Sequence, residues 1–222
     1  MSQLRGLNHA QHVGIFNPDA AKPVTLIGAG GVGSLVAMQL GKIGVREIEV
    51  YDDDTVASHN LPSSAYGLSD IGMVKVEALA RRLKDECDVD LVARPRRWTH
   101  AERLRETIVM CVDSMDARQV VWEACRKDPL ADILIDTRVG AEFICVYAID
   151  LTDRDAVEEY AHAVSYGTKE AAMTTCGLHG IAHVNGLAAS VAVGLLTARW
   201  MRGEIPKRRF EFTMHEAREI QP

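Results

Sequence analysis

A glycine-rich turn, an acidic triplet, a lysine and a later aspartate are the residues of this sequence whose types and spacing could do chemistry. The turn at residues 28–33 reads GAGGVG, follows a short apolar run and precedes a segment with helical periodicity. Glycines let the backbone approach a phosphate closely, and the unpaired N–H groups at the start of a helix attract an anion. The pattern predicts a nucleotide-binding turn whose phosphate contacts come from Gly28, Gly30, Gly31 and Gly33.

The acidic triplet follows a second apolar run, at residues 48–51, and consists of Asp52, Asp53 and Asp54. In a strand–turn–helix–strand unit of this kind, a carboxylate about 20 residues beyond the last glycine binds the ribose of the nucleotide. Asp52 stands at that position, with Asp54 beside it. If the turn served only close packing of a helix on a strand, Asp52 would have no explanation.

Three more polar residues follow at points that a doubly wound sheet would bring together: Asn60, Lys75 and Asp113. The carboxyl ends of the strands in such a sheet line the crevice where ligands bind. Asp113 beside phosphates would hold Mg²⁺, which prefers oxygen ligands, and Lys75 would offset charge that develops during attack at phosphorus. Asn60 and Asp113 could instead cap a loop and a helix.

Short apolar runs that end in polar residues alternate with helical patterns along the chain. This alternation predicts an α/β fold with a doubly wound, mostly parallel, Rossmann-like sheet. The 222 residues suit one domain, with a lead-in at residues 1–23 and a polar surface excursion at residues 150–177. Strands are predicted at residues 24–27, 48–51, 91–93, 107–112, 133–135, 142–149 and 209–214, and helices at residues 34–43, from residue 74, at 117–126 and at 178–201.

Composition argues against several classes of protein. The formal net charge of −6 gives no electrostatic reason to expect a nucleic acid or an anionic membrane as partner. No apolar run approaches the roughly 18 residues that cross a bilayer, and the N-terminus lacks the layout of a secretion signal, so a cytoplasmic location is expected. The five cysteines include no C-x-x-C pair, and Cys176, His179 and His183 share a helical face without a fourth ligand, so no zinc site is expected.

Five motifs, in order along residues 24–126, make the chain similar to the ThiF/MoeB/HesA family, whose members are related to the adenylation domain of ubiquitin-activating E1 enzymes. They are the glycine turn, DDDTV at 52–56, SHNL at 58–61, DIGMVKVE at 70–77, and CVDS at 111–114 with Arg118. The resemblance implies an E1/ThiF-type adenylation domain that forms a homodimer. It also implies that the protein uses MgATP to adenylate the Gly-Gly C-terminus of a small ubiquitin-like or sulfur-carrier protein.

The same resemblance implies a role for each matching residue. Gly31 would approach the phosphates, Asp52 would bind ribose, and Asp113 would bind Mg²⁺. The triphosphate would also contact Asn60 and Lys75. The nucleotide site would be completed by two further residues of the matching motifs, Asp54 and Ser114.

The chain departs from the family at positions that handle charge and transfer. The family arginine three residues after the asparagine is replaced by Ser63, so Lys75 and another residue must offset the charge of the phosphates. Arg5 could supply that charge, since family dimers donate an N-terminal arginine across the interface. Cys176 lies near the loop cysteine that takes the acyl group as a thioester in many relatives; it is either that nucleophile or a buried residue at a helix start.

Two other functions remain open from the sequence. An NAD-dependent oxidoreductase would use the same glycines and Asp52, but it would leave Lys75 and Asp113 without a role. A catalytically weak scaffold protein would keep the nucleotide fold for protein–protein contact, which the missing arginine makes credible.

Overall fold

The computed structural model describes residues 7–12, 14–165, 180–206 and 208–213. Within these residues the strands are β1 Val24–Ile27, β2 Ile48–Tyr51, β3 Val92–Arg94, β4 Thr107–Met110, β5 Ile133–Gly140, β6 Phe143–Asp150 and β7 Arg209–Thr213. They form one sheet in the order β3-β2-β1-β4-β5-β6-β7.

The sheet is parallel from β3 to β5 and antiparallel at β6 and β7. The chain runs outward from β1 to β3 and then returns to β4 on the other side of β1, with Val24 paired to both Ile48 and Thr107. The strand order therefore reverses between β1 and β4, which opens a crevice outside their carboxyl ends. The predicted α/β fold with a doubly wound, mostly parallel sheet is confirmed.

Helices cover both faces of the sheet. In the described part of the chain they are α1 Gly31–Lys42, α2 Lys75–Cys87, α3 Met115–Cys125, α4 Arg154–Ala163 and α5 Ala182–Arg202. One apolar core lies between the sheet and α1, α2 and α5, and a second lies between the sheet and α3 and α4. Strands β1, β2 and β4 are buried throughout, as expected for parallel strands covered on both faces.

Strand β5 continues beyond its predicted end. The sequence predicts a strand at residues 133–135 that ends at Asp136, but Asp136, Thr137 and Arg138 lie within β5 and pair with β6. Polar side chains inside an apolar run usually mark the end of a strand. Here they stay in the strand because buried partners satisfy them.

The predicted surface excursion at residues 150–177 is wrong for its first part. Residues 154–163 form α4, which begins at Asp153, whose carboxylate accepts hydrogen bonds from the first-turn amides of the helix. Ala156 and Tyr160 of α4 are buried, and the Tyr160 ring packs edge-on against Trp122. Residues 166–177 lie outside the described residues.

Helix α5 also departs from a prediction. By length and composition it could cross a bilayer, although the sequence predicts no such segment. Half of its most apolar stretch is buried, and the helix packs on α1, β5 and β6. A core helix passes the same test of length and composition, and this packing is that of a core helix.

A fully buried aspartate joins the end of β5 to the second core. Asp136 accepts hydrogen bonds from Arg118 Nε (2.9 Å), Arg138 Nε (2.7 Å) and the Tyr160 hydroxyl (2.9 Å). Burial alone would raise the pKa of Asp136, but the two guanidinium charges outweigh it and hold the pKa below its usual range. The carboxylate is therefore charged, and α3, α4 and β5 are tied together through it.

We expect Asp136→Asn to lower the free energy of unfolding by about 3–5 kcal/mol, because it leaves two buried guanidinium groups without their counter-charge. Urea titration of the folded protein measures this loss. The matched control is Glu123→Gln, which breaks an exposed ion pair with Arg126 and should change stability little. Because the folded-state pKa of Asp136 lies below its unfolded value of about 4, its stabilisation is present above that pH and is lost on acidification. An Asp136→Asn variant as stable as the Glu123→Gln variant would contradict this.

Candidate nucleotide-binding site

The glycine turn lies at the end of β1 and packs against the end of β4. Gly28 has a φ of +96°, and a Cβ at that residue would lie 2.6 Å from the carbonyl oxygen of Cys111. A Cβ at Gly33 would lie 1.9 Å from the carbonyl oxygen of Gly28. Glycine is therefore required at both positions, and the turn brings the start of α1 directly against the strand ends.

Gly30 and Gly31 have different surroundings. Gly30 is the N-cap of α1 and has no side chain to cap the helix, and a Cβ there would meet no atom within 4 Å. A Cβ at Gly31 would lie 2.3 Å from Asn185 Nδ2 of α5. Helix α1 has no acidic residue in its first turn, so the positive end of its dipole is left for another anion.

Asp52 connects the end of β2 to the glycine turn. Its Oδ2 accepts a hydrogen bond from the Ala29 amide (2.7 Å), and its Oδ1 accepts one from the Asp54 amide (2.9 Å). The side chain is 11% exposed. A carboxylate can accept about four hydrogen bonds, so these two contacts fix its orientation and leave capacity for a ligand hydroxyl.

Lys75 is buried at the first position of α2, beside the acidic triplet. Its Nζ donates to Asp54 Oδ2 (2.7 Å) and lies 3.9 Å from Asp52 Oδ1. Its backbone amide donates to the carbonyl of Asp54 (2.9 Å), which holds the start of α2 next to the end of β2. The structure thus brings together Asp52, Asp54 and Lys75, as the sequence predicts.

The loop after the triplet is tied to α1 and α5. Asn60 Oδ1 accepts from the Ala57 amide (2.9 Å), which is the capping contact considered above as an alternative to a ligand role. Ser63, at the position of the family arginine, accepts through its carbonyl a hydrogen bond from Asn185 Nδ2 (2.8 Å). Ser34 Oγ of α1 accepts from the Ala65 amide (3.0 Å). Asn60 therefore lies in a loop held against the glycine turn.

Asp113 and Ser114 follow β4 on the other side of the crevice. Ser114 is the N-cap of α3, and its Oγ accepts from the Ala117 amide (3.2 Å), so it has a capping role. Asp113 is exposed at the carboxyl edge of the sheet. Arg118 donates to the carbonyls of Val112 (2.5 Å) and Thr137 (2.9 Å), which fixes the backbone just before Asp113.

Carboxylates at this edge of the sheet fit a divalent cation with phosphates. Oxygen atoms of Asp52, Asp53 and Asp54 lie within 4.8 Å of one another, but the first and third already contact Lys75. Asp113 is exposed and has no such lysine contact. Of these groups, Asp113 best suits the role of a Mg²⁺ ligand that also leaves room for phosphate oxygens.

Two of the predicted catalytic residues, Arg5 and Cys176, lie outside the described residues. Their roles stay predictions. Four other cysteines are described, and three of them, Cys87, Cys125 and Cys145, are buried, while Cys111 is partly buried.

Three residues that shape the site were not predicted: Ser34, Tyr66 and Asn185. Tyr66 is buried, and its hydroxyl lies 2.7 Å from the carbonyl oxygen of Ala29 and 3.3 Å from that of Lys75. Its loop has no periodicity that would distinguish it. Asn185 carries a signal, because it is an amide in a stretch rich in Ala, Val and Leu, where a buried polar group needs a reason. It is 3% exposed, and its Oδ1 has no hydrogen-bond partner among the described residues.

Comparison with curated proteins finds partial matches. The chain is 34% identical over 105 residues to tRNA threonylcarbamoyladenosine dehydratase 2 of Saccharomyces cerevisiae, a match that covers 43% of this chain and 24% of that protein. It is 27% identical over 147 residues to ubiquitin-like modifier-activating enzyme 5 of Drosophila willistoni, covering 58% of this chain and 36% of that protein. The chain thus spans about a quarter to a third of the length of these relatives.

Solved structures share the fold. E. coli MccB with ATP aligns with a TM-score of 0.71 at 16% identity, covering 90% of this chain and 63% of that one. E. coli tRNA N6-threonylcarbamoyladenosine dehydratase, TcdA, aligns with a TM-score of 0.63 at 17% identity, covering 84% of this chain and 88% of that one. The ThiF family model matches residues 20–133, which contain the glycine turn, the acidic triplet, Lys75 and Asp113. On this match the chain belongs to the ThiF family.

Proposed function

We propose that this protein is an ATP-dependent adenylyltransferase that activates the C-terminal carboxylate of a small ubiquitin-like or sulfur-carrier protein as an acyl adenylate. The observation that carries the proposal is the position of Lys75. It places a buried ammonium group beside two carboxylates, at the same sheet edge as the start of α1. A site for a triphosphate needs such a cation, whereas a site for NAD does not.

The residues around the crevice suit the separate parts of ATP. The amides at the start of α1 would bind phosphate oxygens, and Asp52 would accept from the ribose hydroxyls. Lys75 would exchange its contact with Asp54 for one with the phosphates. Mg²⁺ held by Asp113 would supply further positive charge at the phosphate oxygens.

The chemistry assigned to the protein is alignment and charge stabilisation. The carboxylate of the partner's last residue attacks the α-phosphorus, the bond to the bridging oxygen breaks, and pyrophosphate leaves. A carboxylate is ionised at neutral pH and needs no general base, so the gain comes from orientation and from cations near the leaving group. The absence of the family arginine at Ser63 makes Lys75 the main cation that the described residues offer.

The relatives support this proposal to different degrees. Ubiquitin-like modifier-activating enzyme 5 is named for acting on ubiquitin-like modifiers, and MccB has been solved with ATP. The matching yeast dehydratase is named for a modified tRNA nucleoside, so an acceptor on tRNA belongs in any substrate test. The homodimer, the Gly-Gly C-terminus and the transfer of the acyl group to Cys176 stay parts of the proposal.

We expect MgATP to raise the melting temperature of the protein, and NAD at the same concentration to leave it unchanged, because only a ligand that binds the folded state stabilises it. Differential scanning fluorimetry measures both shifts. Lys75→Ala is the informative variant and should lose most of the MgATP shift. A shift with NAD and none with MgATP would favour the oxidoreductase alternative.

We expect Asp113→Ala to slow ATP–pyrophosphate exchange by about 100-fold or more, because the variant loses the proposed Mg²⁺ ligand. Exchange of labelled pyrophosphate into ATP is measured with a small protein ending in Gly-Gly as acceptor, and separately with tRNA that carries threonylcarbamoyladenosine. Asp155→Ala, at an exposed aspartate in the first turn of α4, is the control and should retain full exchange. Full exchange by Asp113→Ala would remove its role. Measurable exchange by the wild-type protein would exclude the inactive scaffold.

We expect alkylating reagents at pH 7.5 to leave four thiols of the folded protein unmodified. Burial raises the pKa of Cys87, and it raises the pKa of Cys111 and Cys125 to about 12 and that of Cys145 to about 11, so little thiolate is present. Peptide mass spectrometry after iodoacetamide treatment locates any adduct. Modification confined to Cys176 would agree with a nucleophilic role, and a fast adduct at any of the other four would contradict their assignment as core residues.

A further inference from the structure

Tyr66 holds the glycine turn and Lys75 at once. The residue is 5% exposed, and its hydroxyl lies 2.7 Å from the Ala29 carbonyl oxygen and 3.3 Å from the Lys75 carbonyl oxygen. Ala29 is the second residue of the glycine turn, and Lys75 is the first of α2. One side chain therefore spans the two elements that flank the proposed phosphate site.

The contacts of Tyr66 complete a closed ring. The Ala29 carbonyl accepts from Tyr66, and the Ala29 amide donates to Asp52 Oδ2 (2.7 Å). Asp52 Oδ1 lies 3.9 Å from Lys75 Nζ, and the Lys75 carbonyl lies beside the Tyr66 hydroxyl. Each of the four residues is thus held by two others of the ring. Removing one member frees the remaining three to move relative to one another.

The hydroxyl acts as a donor to these carbonyls. Burial, and after it the negative charges of Asp52 and Asp70, raise the pKa of Tyr66, so the phenol keeps its proton. A single proton serves two acceptors, and the shorter distance places it mainly on the Ala29 carbonyl. The loop that carries Tyr66 is itself anchored, since the Ala65 amide donates to Ser34 Oγ on α1 (3.0 Å).

We propose that Tyr66 is a positioning residue for the nucleotide: its hydroxyl, by bridging the carbonyls of Ala29 and Lys75, fixes the distance between the glycine turn and the Lys75 ammonium. This inference rests on the proposed function, because it assigns the gap between those two elements to the triphosphate. It goes further in naming what sets the width of that gap. A displacement of about 1 Å between such groups is enough to weaken binding and reaction strongly.

The test is the affinity for MgATP of Tyr66→Phe, measured by isothermal titration calorimetry. The change removes the hydroxyl and keeps the ring, and we expect the Kd to rise about tenfold. The matched control is Tyr51→Phe, another buried tyrosine, whose hydroxyl lies on the other side of the sheet, 3.5 Å from Glu102. Its Kd should stay within about twofold of the wild type, since rim hydrogen bonds of this length contribute little.

A second pair of variants asks whether the hydroxyl acts through Lys75. In a Lys75→Ala background, adding Tyr66→Phe should raise the Kd by no more than about threefold, because residues that act together are not additive. A tyrosine with only a packing role would lower the melting temperature and leave the Kd of the folded protein unchanged. Should Tyr66→Phe not fold, Ser34→Ala releases the adjoining Ala65 anchor and should show the same dependence on Lys75 with a smaller rise in Kd.

The outcomes separate this inference from the proposed function. If the wild-type protein binds MgATP and Tyr66→Phe binds it equally well, Tyr66 is not a positioning residue and the proposed function stands. An effect of Tyr66→Phe that is undiminished in the Lys75→Ala background would likewise overturn the inference. If the wild-type protein does not bind MgATP, both fall.

Discussion

The close approach of the glycine turn to the neighbouring strand end is the constraint on which the site depends. Gly28 packs on the Cys111 carbonyl and Gly33 packs on the Gly28 carbonyl, at distances that admit no Cβ. Because of this contact, the first amides of α1 open directly above β1 and β4, where the strand order reverses. The carboxylates that follow β2 and β4 are brought to the same place by the parallel register alone. The local contact and the register of the sheet together place every group of the proposed site.

Much of this arrangement could be predicted from the sequence, because short-range patterns specify it. The glycine turn, the acid after β2 and the lysine at the start of α2 each lie at a fixed spacing within one supersecondary unit. Asn60 and Ser114 proved to be caps, which their residue types allow as readily as a ligand role. For Asn60, the capping contact engages the side-chain oxygen with a neighbouring amide.

The parts that were not predicted depend on contacts between distant segments. Asp136 remains inside β5 only because Arg118 of α3 and Tyr160 of α4 reach it. Helix α4 was read as a surface loop because its buried face is small, and the ring of Tyr160 contributes most of that face. Tyr66 and Asn185 touch the glycine turn from segments far along the chain, and no local periodicity reports such a contact. Sequence patterns describe a residue's own element well and its distant neighbours poorly.

The contact between Gly31 and Asn185 has a consequence for how the chain can diverge. The amide nitrogen of Asn185 occupies the space that a side chain at residue 31 would need, and it binds the Ser63 carbonyl from the same position. A larger residue at 31 would therefore require a smaller one at 185, and the loop at Ser63 would then lose its anchor on α5. These three positions are expected to change together among descendants of this sequence, so that covariation at position 185 would report on the width of the phosphate turn.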